Sequence, residues 1–346
     1  MSDLQIGLAV AGGVVLAAFV AHGAWTTRKN TPKQASAEAV EPRLGEDAQD
    51  AVPMAVNAET PAFNLPSTPK RTMLDSLIDV IAPITLDGTV HAVSGEAAWA
   101  AMPVTRRAGT KPFAVEGFNQ NTQVWEVPVA GQRYAGFQAG VQLANRSGAL
   151  NEIEYSEFVV KTQAFADTIN AAPEFPEMLE EVARARELDQ FASAHDAQLG
   201  FTIRARNASW SPGYVHQNAA RLGFVAGAIP GRMVLAASEE GLPPVLVLSF
   251  DSQAALAEDP AQSAIRSIAL HLDVAQVDRA EQPFERMRSC AVAMAQAMDG
   301  LITDDNGHAL ALQSMDVIGT ELQGLYDILE QRDIAAGSTL ARRLFS

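Results

Sequence analysis

An α+β protein with a membrane-spanning helix near its N-terminus is what the sequence predicts, and three observations carry that expectation. No charged residue lies between Asp3 and Arg28. From about Thr31 to Lys70 the chain turns to Ala, Pro, Glu and Asp with no sustained hydrophobic period. Beyond that, segments of period two and of period three to four follow one another, and their order runs through twice.

The first stretch, "LQIGLAVAGGVVLAAFVAHGAW", runs from Leu4 to Trp25. As an α-helix, its roughly 22 residues span about 33 Å, close to the ~30 Å hydrocarbon core of a bilayer. Gln5 and His22 sit near its ends, and Trp25 occupies the place of an interfacial aromatic. A cleaved export signal has its basic residues before the apolar run. Here Asp3 precedes it, and Arg28, Lys29 and Lys33 follow. The positive-inside rule then puts residues 1–3 outside and the chain from Arg28 onward in the cytoplasm, with Trp25, Arg28 and Lys29 at the membrane interface.

Residues 26–71 read as a cytoplasmic linker. The segment is too poor in apolar and aromatic residues to bury a core, and as a coil it reaches on the order of 35 Å. The net charge of −16 leaves no basic stripe for nucleic acid, and it repels an anionic membrane surface. A single cysteine, Cys290, rules out an internal disulfide framework.

Two units are expected after the linker, 72–195 and 196–335, with 336–346 as a C-terminal tail. In the first unit "LIDVIAPI" (77–84) reads as a strand. "SGEAAWAAM" (94–102) reads as a helix with a serine cap and a proline behind it. "KPFAVEGFN", "QVWEVPV" and "YAGFQAGVQLANR" alternate as strands do. "SEFVVKTQAFADTI" and "FPEMLEEVARARELDQFASAHD" carry helical spacing. The second unit opens on the strand "QLGFTIRAR" (198–206) and the capped helix "SPGYVHQNAARLG" (211–223). Strands "RMVLAA", "PVLVLSF" and "RSIALHLDVAQV" follow, then the helix "PFERMRSCAVAMAQAMDG". A short strand and turn, "LITDDNGHAL", leads to the last helix, "SMDVIGTELQGLYDILEQRD". The repeat is one of pattern and not of letters.

Catalytic patterns are absent from this reading. The six histidines show no metal-ligand spacing, and Asp304–Asp305 has the composition of a strand-end turn. Cys290 falls on the stripe Met287, Cys290, Met294 and Met298, where core packing is the default. No glycine-rich loop joins a strand to a helix, so neither a cofactor nor a small-molecule substrate is expected. What remains is a binding body. The run "VLVLSF" is apolar on both parities: Val245, Val247 and Ser249 point one way, and Leu246, Leu248 and Phe250 the other. It fits an exposed docking strand and a strand buried on both sides equally well.

Four segments carry a family resemblance. "HGAWTTRKN", directly after the apolar run, resembles the membrane exit of the bacterial cell-division ZipA family. "RLGFVAG", "LHLDVA" and "LITDDNGHALALQSMDVI" follow the pattern of that family's C-terminal domain. The likeness covers 4–30 and about 196–332. It implies split β-α-β sheet domains with helices on one face. It also implies that the other face takes the C-terminal tail of FtsZ, the tubulin-like division protein, in an apolar groove. Carried across, the groove positions are Thr202 and Arg204, Met233, Leu248 and Phe250, and Ala269 and His271. Thr202, Arg204 and His271 are polar where the family is mostly aliphatic or aromatic. The resemblance thus implies a bitopic inner-membrane adaptor at the division site that anchors FtsZ. The rival readings are a tethered scaffold for another envelope protein, with specificity in 72–195, and an anchored enzyme.

Overall fold

The computed structural model describes residues 33, 74–88, 91–257, 263–304 and 306–346. The chain divides into two units, Ala37–Ala192 and Ser193–Ser346, the latter joined by the stretch before residue 37. The expected 4–25 anchor, with Trp25, Arg28 and Lys29, lies outside the described residues. Among the described ones no helix is long and apolar enough to cross a membrane.

The first unit begins with β1 (Asp79–Leu86), in which Val80, Ala82 and Ile84 alternate into the core. Helix α1 (Gly95–Ala101) starts where the Ser94 hydroxyl accepts the Ala97 N–H, and it stops ahead of Pro103. Strands β2 (Lys111–Asn119) and β3 (Arg133–Gln142) follow. Helix α2 (Glu152–Thr168) opens on a reciprocal cap: Asn151 accepts the Glu154 N–H, and the Glu154 carboxylate accepts the Asn151 N–H. Strand β4 (Ala171–Pro173) and helix α3 (Met178–His195) complete the unit, and the division between units falls in the last turn of α3. "QVWEVPV" pairs only at Trp125–Glu126. The core is aromatic: Phe137 meets the Phe165 ring edge-on at 5.4 Å, and Phe113 lies 6.1 Å from Phe158.

In the second unit β5 (Gln198–Ala205) leads to α4 (Pro212–Ala220), capped by Ser211 with proline at its first position. Strands β6 (Arg232–Leu235), β7 (Leu246–Ser249) and β8 (Ser267–Asp273) come next. Then come α5 (Pro283–Met298), β9 (Gly300–Thr303) and α6 (Leu312–Gln331). The expected tail is not loose: α7 (Thr339–Leu344) forms in it, and Leu344 and Phe345 are buried. The Gln276 amide donates to the Phe345 carbonyl at 2.7 Å. One residue of the expected linker also pairs with this unit. The Lys33 N–H donates to the Ser209 carbonyl at 2.7 Å, and the Ser211 N–H donates back to the Lys33 carbonyl at 2.9 Å. The Lys33 ammonium and the buried Trp210 indole N–H both donate to the Met298 carbonyl at the end of α5, where a cation suits the helix dipole.

Every ladder in both sheets is antiparallel. The first sheet runs from the short strand Arg107–Ala108 through β2, β3 and β1 to β4. The second runs from β6 through β7, β8 and β5 to β9, with the pair Val225–Ala226 added outside β6. In chain order each unit therefore places its opening strand between its fourth and fifth. The repeated pattern read in the sequence ends in two sheets of one strand order.

Candidate functional site: an open cleft on the second sheet

Register decides which side chains share a face. Phe201, Ile203, Leu246, Leu248, Ile268, Leu270 and Leu272 are all buried, and Phe201 meets Phe284 of α5 at 6.2 Å. This is the helix-covered face. The alternate positions form the other face in rows that cross the strands. One row reads Arg232, Ser249, Ala269, Thr202 and Thr303, and the next reads Val234, Val247, His271 and Gly200. Thr202, Val247, Ser249 and Ala269 are half-buried, and Arg204, Arg232 and His271 are exposed.

A cleft of about 800 Å³ lies on this face. Its floor is Gly200, Val247, Ser249 and His271, and its walls are the turns Ile229–Arg232 and Pro243–Val245, with Phe250 at one end. Gly231 makes the last of these possible. Its φ is +76°, and a Cβ there would sit 2.6 Å from the Phe250 carbonyl oxygen, while the Phe250 N–H donates to the Gly231 carbonyl at 2.9 Å. The half-buried Phe250 ring stands edge-on to His216 of α4, 5.7 Å away. Burial holds the His216 imidazole below the ordinary histidine pKa.

Of the residues expected in a groove, Thr202, Arg204, Ala269 and His271 do lie on the open face, and Phe250 lines the cleft. Met233 and Leu248 do not. They are 2% and 0% exposed, and the β6–β7 register sets them opposite each other in the helix-covered row. The cause is parity. Side chains alternate strictly along a strand, so when Ser249 and Val247 face the cleft, Leu248 faces the core. Phe250 escapes that rule because β7 ends at Ser249. Sequence reasoning missed Val247, Arg232 and the prolines of the wall. The one available signal was Ser249, the polar residue of an otherwise apolar run.

Ser249 Oγ lies 3.0 Å from His271 Nε2. A nucleophile–base pair also needs the imidazole oriented through its other nitrogen. Among the described residues His271 Nδ1 has no hydrogen bond, so the pair reads as a polar floor. Asp304 organises the turn after β9, its carboxylate accepting the His308 N–H at 2.7 Å, and that contact draws its pKa down.

The described residues of this face form a concave surface with apolar walls and a polar floor. Residues 249–320 match the family of the ZipA C-terminal FtsZ-binding domain, which supports a ZipA family protein. That is a division-protein family of binding domains and not an enzyme family. The match runs from the end of β7 to the middle of α6. No curated protein matches the chain.

Proposed function

We propose that this chain is a membrane-tethered division adaptor that binds the C-terminal tail of FtsZ along the open face of its second sheet. The observation that carries the reading is the cleft itself, walled by Ile229–Arg232 and Pro243–Val245, on the domain that matches the FtsZ-binding family. Phe250, Val247 and the wall prolines offer apolar surface. Ser249 and His271 make its floor polar, and Thr202 and Ala269 continue the open face beyond it. Arg232 stands in its wall, and Arg204 is exposed on the same face. An extended tail that buries two or three apolar side chains gains about 1.5–3 kcal/mol from each, before the cost of ordering it. A single contact is therefore weak. Many anchored copies along one polymer convert it into firm attachment through effective concentration. In this reading residues 4–25 cross the inner membrane with Trp25, Arg28 and Lys29 at the cytoplasmic interface, and both folded units face the cytoplasm.

Co-sedimentation with FtsZ polymers tests it. The full chain in lipid nanodiscs should pellet with polymers of intact FtsZ and stay in the supernatant with FtsZ that lacks its tail. Equal pelleting with both refutes the tail as ligand. A cytoplasm-only reporter fused after Ser346 should be active, and activity of a periplasm-only reporter there refutes the orientation.

A further inference from the structure

The two sheets share one strand order, yet their open faces differ. Aligning the starts of β1 and β5 puts Ile81 at the place of Gly200. Ile81 lies opposite Gly140, and Gly200 lies opposite His271. Gly140 in turn lies opposite Ala114, as His271 lies opposite Val247. One row on, Glu116 holds the place of Ser249. The first sheet thus has a glycine where the second has His271, and a carboxylate where the second has Ser249.

Leu74 occupies that spot. A Cβ on Gly140 would fall 2.4 Å from Leu74 Cδ2, so only glycine leaves room for the leucine side chain. Leu74 is 8% exposed. Its N–H donates at 3.1 Å to Oε1 of Glu116, which is fully buried in the middle of the sheet, while Oε2 accepts the Gln138 amide at 2.8 Å. A carboxylate is costly to bury unless donors surround it, so Glu116 fits a place where a backbone N–H arrives. Asp79 repeats the device at the start of β1, accepting the Asp75 N–H at 2.8 Å. The segment leading into β1 is therefore held as a peptide ligand is held, by one apolar side chain in a notch and one backbone donor on a fixed acceptor.

We propose that the open face of the first sheet is a peptide-docking face filled in cis by the chain's own Leu74, so that each chain offers one free groove. The single-groove part rests on the tail-binding reading of the second unit. The cis contact does not.

The test uses the full chain. Amide exchange reads the contact directly: the Leu74 N–H should be protected about a hundredfold or more against an unfolded chain. Leu74→Ala empties the notch without altering a strand. Exchange at position 74 should then rise about tenfold, with Ala139 and Val141 of β3 unchanged. Gly140→Ala, which pushes the leucine out from the other side, should do the same. Exchange of Leu74 at the unfolded rate in the unaltered chain overturns the proposal. Titration with a synthetic FtsZ C-terminal tail peptide should give one peptide per unaltered chain and a second, weaker one in Leu74→Ala. Two per unaltered chain, or one in both chains, overturns the proposal. No peptide on either chain, with Leu74 still protected, refutes the tail reading and leaves the cis contact standing.

Discussion

Leu248→Ala separates folding from binding in the second unit. The side chain is 0% exposed and stands in register with Met233 on one side and Leu270 on the other, both buried. Truncation removes three carbons from a close-packed row and leaves a cavity, which costs about 2–5 kcal/mol. At about 3 kcal/mol, and about 2–4 °C per kcal/mol for a domain of this size, the melting temperature should drop by roughly 6–12 °C. Tail affinity of the folded fraction should not change, because no atom of Leu248 reaches the cleft. Phe250→Ala should behave in the opposite way. The ring is half-buried at one end of the cleft with His216 at its edge. Its loss should weaken tail binding by about tenfold, with a melting shift of a few degrees at most. Calorimetric unfolding and a peptide titration on the two variants decide the matter. A Leu248→Ala protein that melts normally but has lost the tail would refute the assignment of faces.

Other expectations follow from buried polar groups. The Tyr326 hydroxyl is buried with no hydrogen-bond partner among the described residues, and burial pushes its pKa up to about 12. Tyr326→Phe should therefore leave stability within about 1 kcal/mol or raise it, and a loss above about 2 kcal/mol in denaturant unfolding would expose a missing partner. Burial depresses the His216 pKa, so the unfolded chain takes up the proton more readily than the folded one. Stability from the neutral ring is complete above the ordinary histidine pKa and declines as pH falls below it. The melting temperature should fall less between pH 7.5 and 5.5 in His216→Gln than in the unaltered chain, and equal falls would assign the loss to other groups. Cys290 is buried, and burial raises its thiol pKa. Alkylation at neutral pH should be slow in the native protein and fast in denaturant, and rapid native labelling would mean that α5 opens locally.

Much of the secondary structure was legible because local chemistry dictates it. Ser94 and Ser211 cap the helices that follow them, and the strands read at 77–84 and 198–206 form as β1 and β5. The stripe Met287, Cys290, Met294 and Met298 is buried on α5 as its spacing requires. The site was harder to read. In β7 both parities are apolar, so composition could not say that Leu248 is core and Val247 is cleft. Only the pairing of Val247 with His271 and of Leu248 with Leu270 settles it, and pairing is non-local. The same holds for Leu74 and Lys33. Each is one residue beside a polar, proline-rich stretch, and each is fixed by partners far along the chain, Glu116 and Gly140 for one, Ser209 and Met298 for the other.

Lys33 changes what the proposed leash would mean. Seven residues lie between it and Trp25, and the eight steps from one to the other could span at most about 28 Å. With Lys33 paired to Trp210, the membrane tether we propose would meet the body that is last in sequence first. The stretch from Ala37 to Ala192 becomes an excursion that leaves this body and returns to it. Spacer inserted between residues 37 and 73 would then lengthen the path to the first unit alone. Under the proposed anchoring, the cleft would stay within the same radius of Trp25, and the number of residues from 26 to 32 would limit how far a captured polymer stands off.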